Sequence, residues 1–158
     1  MTELDNNFMQ RAIELARAGM NSGRGGPFGC VIVKNGEIVG EGNNRVTSTN
    51  DPTAHAEVVA IRNACKTLDA FQLDGCEIYT SCEPCPMCLG AIYWARPAKV
   101  FYACTREDAA NAGFDDDFIY AELAKPNAER ERVMISLLRD EGVALFHDWS
   151  AKPDKVEY

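Results

Sequence analysis

The sequence has little positive charge and no long apolar run, and both absences limit the classes of partner that we expect the protein to bind. The 158 residues include 16 Lys and Arg against 24 Asp and Glu, giving a formal net charge of −8. No basic run is long enough to follow a phosphate backbone, as a protein that neutralises phosphates requires. No apolar run approaches the ~18 residues of a membrane span. We therefore expect neither nucleic acid nor membrane as a partner, and a small neutral or cationic substrate instead.

The chain also lacks the features of a secreted, disulfide-linked protein. Its seven cysteines are an odd number, which does not fit a complete set of disulfide pairs. The N-terminal segment 1–5 is acidic and is not followed by the apolar region of a signal peptide. Reduced thiols in a cytoplasmic protein are the better interpretation. Three cysteines cluster as possible metal ligands, at Cys82, Cys85 and Cys88. The other four stand among apolar residues and are predicted to be buried: Cys30, Cys65, Cys76 and Cys104.

Hydrophobic periodicity and turn residues predict a single α/β domain over residues 1–158. Helices are predicted at 7–20, 54–70, 86–95 and 141–149, and strands at 28–33, 37–40, 76–80, 98–103 and 132–139. Asn35-Gly36 indicates a hairpin between the first two strands. The later alternation of strands and helices indicates a parallel component. We therefore expect a three-layer α/β/α sandwich, with a mixed, roughly five-stranded sheet and helices on both faces.

One pair of motifs carries the chemistry. His55-Ala56-Glu57 is followed by Pro84-Cys85-Pro86-Met87-Cys88, and H-x-E with a later P-C-x-x-C is the signature of zinc deaminases. One imidazole and two thiolates bind Zn²⁺ and leave a fourth position for water, which the metal acidifies. Glu57 stands beside the metal ligands as a proton shuttle. Both motifs fall at predicted helix N-termini, where thiolates are stabilised.

Other interpretations of these cysteines remain open. A Cys-x-x-Cys pair alone is also typical of a redox site or a structural zinc site, for which Cys82 could supply a fourth ligand. The spacing of Cys82, Cys85 and Cys88 resembles part of a ferredoxin cluster motif, but the expected fourth cysteine is absent. A non-catalytic zinc-binding module is therefore the alternative from another functional class.

The chain resembles the cytidine deaminase-like superfamily and, within it, the small bacterial guanine deaminases. The resemblance rests on residues 25–29 (GGPFG), 50–57 (NDPTAHAE), 80–88 (TSCEPCPMC), 91–96 (AIYWAR) and 112–116 (AGFDD), with the terminal Glu157-Tyr158. It implies one Zn²⁺ per chain held by His55, Cys85 and Cys88, with Glu57 as the proton shuttle. It also implies a homodimer in which residues from about 140 to 158 are swapped onto the partner. The substrate-binding residues that it implies are Phe28, Asn44, Ala56, Trp94, Asp116 and Tyr158.

The resemblance implies hydrolysis of guanine to xanthine and ammonia by zinc-activated hydroxide. A physical argument supports guanine, because a carboxylate such as Asp116 can pair with its adjacent N1–H and 2-amino donors. Adenine and cytosine present an acceptor at the matching ring nitrogen. A deaminase of cytosine, isocytosine, guanosine or tRNA adenosine would keep the same zinc site, so these substrates remain alternatives.

Overall fold

The computed structural model describes residues 2–114 and 116–158, so that Asp115 of the predicted AGFDD motif lies outside the described residues. Backbone contacts divide the chain into two units, Met1–Asp117 and Phe118–Tyr158. The first unit contains α1 (Glu3–Asn21), β1 (Gly29–Lys34), β2 (Glu37–Asn43), α2 (Val46–Thr49), α3 (Ala56–Leu68), β3 (Cys76–Cys82), α4 (Pro86–Ala95), β4 (Lys99–Cys104) and α5 (Arg106–Asn111). Helix α6 (Asp117–Leu123) begins at the last residue of the first unit, and the second unit contains the rest of it, a 3₁₀ turn (Asn127–Glu129) and α7 (Arg139–Ala151).

The first unit is built on a mixed sheet with the strand order β2-β1-β3-β4. Strand β1 is antiparallel to both neighbours, whereas β3 and β4 are parallel. The predicted hairpin is confirmed, since Asn35 and Gly36 both adopt positive φ, at 53° and 80°. The sequence prediction of a mixed sheet in an α/β fold is therefore correct.

Helices cover both faces of this sheet. Helix α1 packs Phe8 and Ala12 against Val31, Val33 and Tyr79. On the opposite face, α3 and α4 pack against a second apolar cluster, which includes Cys30, Ile32, Cys76 and Ile78. Successive residues of β1 thus point to opposite layers, as the period of two in a strand requires. This is the predicted three-layer arrangement.

Close packing of α3 on β2 depends on a glycine. A Cβ at Gly42 would overlap the carbonyl oxygen of Ala56, the first residue of α3. The absence of a side chain at Gly42 therefore lets the start of α3 lie against the strand. This contact fixes the position of His55 and Glu57, which flank Ala56.

Two sequence predictions about the fold are wrong. The described residues form four strands, because residues 132–139 form no strand and expose Val133, Ile135 and Leu137 by about four-fifths. A β-prone sequence becomes a strand only where a neighbouring strand accepts its backbone hydrogen bonds. Of the four cysteines predicted to be buried, Cys104 is exposed at the end of the edge strand β4 and Cys65 is half-buried, whereas Cys30 and Cys76 are buried.

The second unit has no buried residue among its described helices. The predicted last helix is confirmed as α7 and is longer than expected at both ends. The side chain of Arg130 donates hydrogen bonds to the backbone carbonyls of Glu122 and Lys125 and so links the 3₁₀ turn to α6. No helix in the described part of the chain is long and apolar enough to span a membrane.

Candidate active site and metal centre

Two helix N-termini bring the predicted metal ligands together. His55 directly precedes α3 and Cys85 directly precedes α4, each with an extended backbone at the capping position. Cys88 follows in the first turn of α4, where Pro86 occupies the first helical position as predicted. Both helix ends present free N–H groups and a partial positive charge. The two sulfurs therefore lie where negative charge is stabilised.

The geometry of this cluster fits zinc. The Sγ atoms of Cys85 and Cys88 lie 3.6 and 3.5 Å from Nδ1 of His55, and all three ligand atoms lie within 4.8 Å of one another. Tetrahedral zinc, with Zn–S near 2.3 Å and Zn–N near 2.0 Å, separates sulfur from nitrogen by about 3.6 Å. Among residues 2–114 and 116–158, no fourth ligand joins the group. Three protein ligands are typical of catalytic zinc.

The two ligand thiols differ in pKa. The neighbouring Cys88 side chain, followed by His55, lowers the pKa of Cys85 to about 4. The contact with Cys85, together with burial and the charge of Glu57, raises the pKa of Cys88. A metal held by both sulfurs binds them as thiolates, so that metal binding releases protons.

Cys82 does not act as a fourth ligand. It is buried, and its Sγ donates a hydrogen bond to the carbonyl oxygen of Thr105 at 3.5 Å. Burial raises the pKa of this thiol to about 11, and the described residues that could hold a metal together are His55, Cys85 and Cys88, without Cys82. A closed structural site, in which Cys82 completes the coordination, is therefore not supported.

Glu57 is placed to exchange protons beside the metal ligands. Its side chain is only 6% exposed, and Oε2 accepts a hydrogen bond from Cys88 Sγ at 3.4 Å. Burial raises the pKa of this carboxyl above its ordinary value. A buried carboxyl whose pKa moves towards neutrality can both accept and donate a proton.

The metal cluster and Glu57 open into a cavity of about 270 Å³. Phe28 and Phe114 form an aromatic wall, with ring centroids 4.8 Å apart and an edge-to-face angle of 81°. The cavity is lined by Gly26, Phe28, Asn44, Val46, Thr47, His55, Glu57, Cys82, Glu83, Cys85, Arg106, Ala109, Phe114 and Asp116. An aromatic-walled space with a few polar groups suits a heterocyclic base.

Residues 2–104 match the family described as the cytidine and deoxycytidylate deaminase zinc-binding region. The chain belongs to this deaminase family. It is 60% identical over 151 residues to a guanine deaminase of Bacillus subtilis, covering 96% of this chain and 97% of the relative. The crystal structure of a Bacillus subtilis guanine deaminase superimposes with a TM-score of 0.95 at 57% identity and covers 100% of this chain and 99% of that chain. A tRNA-specific adenosine deaminase of Aquifex aeolicus is 42% identical over 96 residues, or 61% of this chain and 63% of the relative.

Within this deaminase fold, Asn44 has a defined orientation. Its Oδ1 accepts hydrogen bonds from the backbone N–H groups of Gly26, at 3.3 Å, and Val46, at 3.2 Å. Because two donors occupy the amide oxygen, Nδ2 is the group that remains for a ligand in the cavity. The sequence left open whether Asn44 donates or accepts, and the structure favours donation.

Asp116 lines the same cavity. Burial raises the pKa of this carboxyl, and the charges of Cys85 and Asp117 raise it further. Arg106, which also lines the cavity, opposes the shift through its positive charge. A partly buried carboxylate on a cavity wall is a strong partner for adjacent N–H donors.

Three predicted substrate-binding residues lie outside this cavity lining. Trp94 is 65% exposed, because Cys88, Ile92 and Ala95 form the buried face of α4 and Trp94 points away from it. The prediction that Trp94 forms a wall is therefore not met within one chain. The side chain of Ala56 is fully buried in the apolar core. Tyr158 belongs to the second unit, where it is 69% exposed.

The sequence also left several lining residues of this deaminase unassigned. Phe114 belongs to the AGFDD motif and lies two residues before Asp116, so its place in the site could have been predicted from the sequence. Glu83 accepts a hydrogen bond from the backbone N–H of Arg106 and so joins the metal-binding loop to the start of α5. Arg106 follows the carboxyl end of β4, the edge where α/β folds commonly bind ligands.

Proposed function

We propose that the chain is a zinc-dependent guanine deaminase, which converts guanine and water to xanthine and ammonia. The observation that carries the proposal is a single cavity containing the metal cluster, Glu57, an amide donor at Asn44 and a carboxylate at Asp116. The matched family region ends at residue 104, whereas similarity to the Bacillus subtilis guanine deaminase covers 96% of the chain. That relative therefore also matches most of the part of the chain that follows the zinc-binding region.

The polar groups match the edge of guanine. The carboxylate of Asp116 accepts from N1–H and the 2-amino group. The Nδ2 group of Asn44 donates to a base acceptor, and guanine offers O6 and N7, whereas adenine places an amino donor at the position of O6. Phe28 and Phe114 hold the plane of the ring. The pattern of donor and acceptor in the cavity thus favours guanine over adenine.

Each residue of the proposed site has its own role in the reaction. Zinc, when bound by His55, Cys85 and Cys88, makes water nucleophilic at neutral pH. Glu57 accepts a proton from the attacking water and delivers protons to N3 and then to the departing amine at C2. Asp116 holds the C2 amino group in place while the C–N bond breaks. Water thus supplies two protons, of which one stays on N3 of xanthine and the other leaves on ammonia, while its oxygen becomes the carbonyl oxygen at C2.

Ammonia release from purified protein tests this function. We expect guanine to be the best substrate among guanine, adenine, cytosine, isocytosine, guanosine and a tRNA stem-loop. Glu57→Gln should retain zinc and fold while losing nearly all turnover. Robust release from adenosine in the stem-loop would overturn the assignment of the substrate. Stoichiometric zinc without ammonia from any substrate would favour a non-catalytic zinc module.

We further propose a homodimer in which residues 140–158 cross to the partner and Tyr158 covers the partner's cavity. The second unit buries none of its described residues but carries many large apolar side chains, and such surface normally marks an interaction. The exposed apolar side chains of this unit include Phe118, Ile119, Leu123, Met134, Leu138, Leu145, Phe146, Trp149, Val156 and Tyr158. Helix α4 likewise exposes Leu89, Tyr93 and Trp94.

Truncation and mixing test the crossed tail. Deleting residues 156–158 should leave zinc content and thermal stability nearly unchanged while sharply reducing turnover, because the tail excludes water from the site. Mixing this truncated chain with Glu57→Gln should restore part of the activity, since one site then combines an intact Glu57 with a donated tail. Loss of activity without rescue would place the tail over the site of its own chain.

We also propose that the protein works in the cytoplasm. The seven cysteines of the chain are all free thiols, and reduced thiols persist in that compartment. A purified sample that retains seven titratable thiols after zinc removal and denaturation would support this location. Disulfides formed in the producing cell would argue against it.

A further inference from the structure

A second, larger groove is lined by strand β2, which ends at the residue before Asn44. It has a volume of about 500 Å³ and is bordered by Leu15 of α1 and by Asn63 and Thr67 of α3. Its polar lining consists of Arg24, Glu41, Asn43, Arg45, Asn63 and Thr67. None of the metal ligands and none of the residues assigned above to guanine lines this groove.

Most of the polar groups in this groove are already bonded. The carboxylate of Glu41 holds Arg11 through two hydrogen bonds of 2.7 and 3.0 Å. Asn63 donates to the carbonyl oxygen of Glu41 at 2.8 Å, and Thr67 donates to the carbonyl oxygen of Asn63 at 3.0 Å. These groups complete the internal structure of the groove wall and offer little to a ligand.

The two groove arginines differ from these neighbours. Within the described residues, the guanidinium groups of Arg24 and Arg45 make no hydrogen bond or ion pair. The Nε of Arg45 is moreover buried without a partner, and an unsatisfied buried donor is costly. The chain has eight more acidic than basic residues, so the lack of a carboxylate partner does not reflect a shortage of them. The one acidic side chain of the groove, Glu41, is occupied by Arg11.

We propose that this groove binds a phosphate group, either free or as a phosphomonoester, between Arg24 and Arg45. Guanidinium groups match phosphate oxygens through pairs of parallel N–H donors. Two of them facing one groove neutralise a dianion better than a single one could. The groove is larger than the active-site cavity, which leaves room for an organic group attached to the phosphate.

The groove and the active site share one segment of the chain. Asn43 and Arg45 line the groove, whereas Asn44 and Val46 line the cavity. The Oδ1 of Asn44 also holds the N–H of Gly26, two residues beyond Arg24. An anion that bridges Arg24 and Arg45 therefore fixes the two segments that orient Asn44. We expect the bound anion to lower the KM for guanine, an effect that rests on the proposed function.

Calorimetric titration of the zinc-loaded protein with inorganic phosphate tests the site independently of turnover. Arg24→Gln and Arg45→Gln should each weaken binding by about tenfold, as expected for the loss of a charge-assisted contact. Arg17→Gln is the matched control, because Arg17 is an exposed arginine of α1 that does not line the groove. No saturable binding in the millimolar range, or equal weakening by all three variants, would overturn the proposal. Phosphate held by the zinc would be insensitive to all three variants, which would also overturn it.

Guanosine monophosphate and guanosine, titrated in parallel, distinguish the two sources of the phosphate. Tighter binding of the monophosphate than of inorganic phosphate, lost in Arg45→Gln, identifies a phosphomonoester. Equal affinities identify free phosphate. If phosphate binding depends on both arginines but phosphate does not change the KM for guanine, the phosphate site is supported and its proposed coupling to Asn44 is wrong.

Discussion

Replacing Asp116 by asparagine tests how the cavity selects its substrate. The two side chains have nearly the same shape, but asparagine is neutral and replaces one acceptor oxygen by a donor. The variant therefore loses the charge-assisted pair with N1–H and the 2-amino group of guanine and gains an N–H that faces a substrate donor. A hydrogen bond to a charged group is worth roughly 1.5–3 kcal/mol. With the loss of the second contact, we expect a cost of about 2–4 kcal/mol in kcat/KM, or about 30- to 900-fold.

The assay for this variant is steady-state ammonia release, with the melting temperature measured on the same sample. Asp117→Asn is the matched control, since its side chain is 70% exposed and lies 3.9 Å from Arg106 Nε. A surface pair of this kind contributes at most about 1 kcal/mol. We expect little change in the thermal stability of Asp116→Asn. Equal losses of activity in the two variants, or an unchanged rate for Asp116→Asn together with a large loss for Asp115→Asn, would refute the choice of Asp116.

Two further predictions concern the metal and the base. Cys88→Ala should lose both bound zinc and turnover, because it removes one of the three proposed ligands. Cys82→Ser should keep its zinc. The zinc content of the two purified variants, measured by metal analysis, tests both expectations. Asn44→Asp keeps an oxygen for the N–H groups of Gly26 and Val46 but loses the Nδ2 donor. We expect its melting temperature to change little and its kcat/KM for guanine to fall by about 10- to 100-fold, and an unchanged kcat/KM would remove Asn44 from substrate recognition.

The metal centre could be predicted from the sequence because its signals are local. His55 and Cys85 each follow turn residues and begin a helix. Asp51 accepts hydrogen bonds from the backbone N–H and the hydroxyl of Thr53 and so shapes the turn before His55. Pro86 sets the start of α4 at the predicted residue. Each feature depends on a few neighbouring residues, which a single sequence displays directly.

The errors arose where the outcome depends on distant parts of the chain. Residues 132–139 have the composition of a strand, but strand formation requires a partner that composition does not reveal. The role of Trp94 in the substrate pocket stays a prediction, because α4 is apolar on all sides and its periodicity does not show which face is buried. Arg24 and Arg45 likewise line one groove although they come from separate segments, and no local pattern of residues indicates this.

The orientation of Asn44 depends on a contact between distant residues, and one residue of the sequence reflects this contact. Oδ1 reaches the N–H of Gly26 only because the loop at residues 25–26 comes very close to Asn44. A Cβ at Gly25 would overlap both Oδ1 and the carbonyl oxygen of Asn44. Gly25 is therefore required not for a turn but for this close approach. The glycine nineteen residues before Asn44 is thus required for the position of an amide that we propose to bind the substrate, and its role becomes clear only when the fold shows which atoms occupy the space.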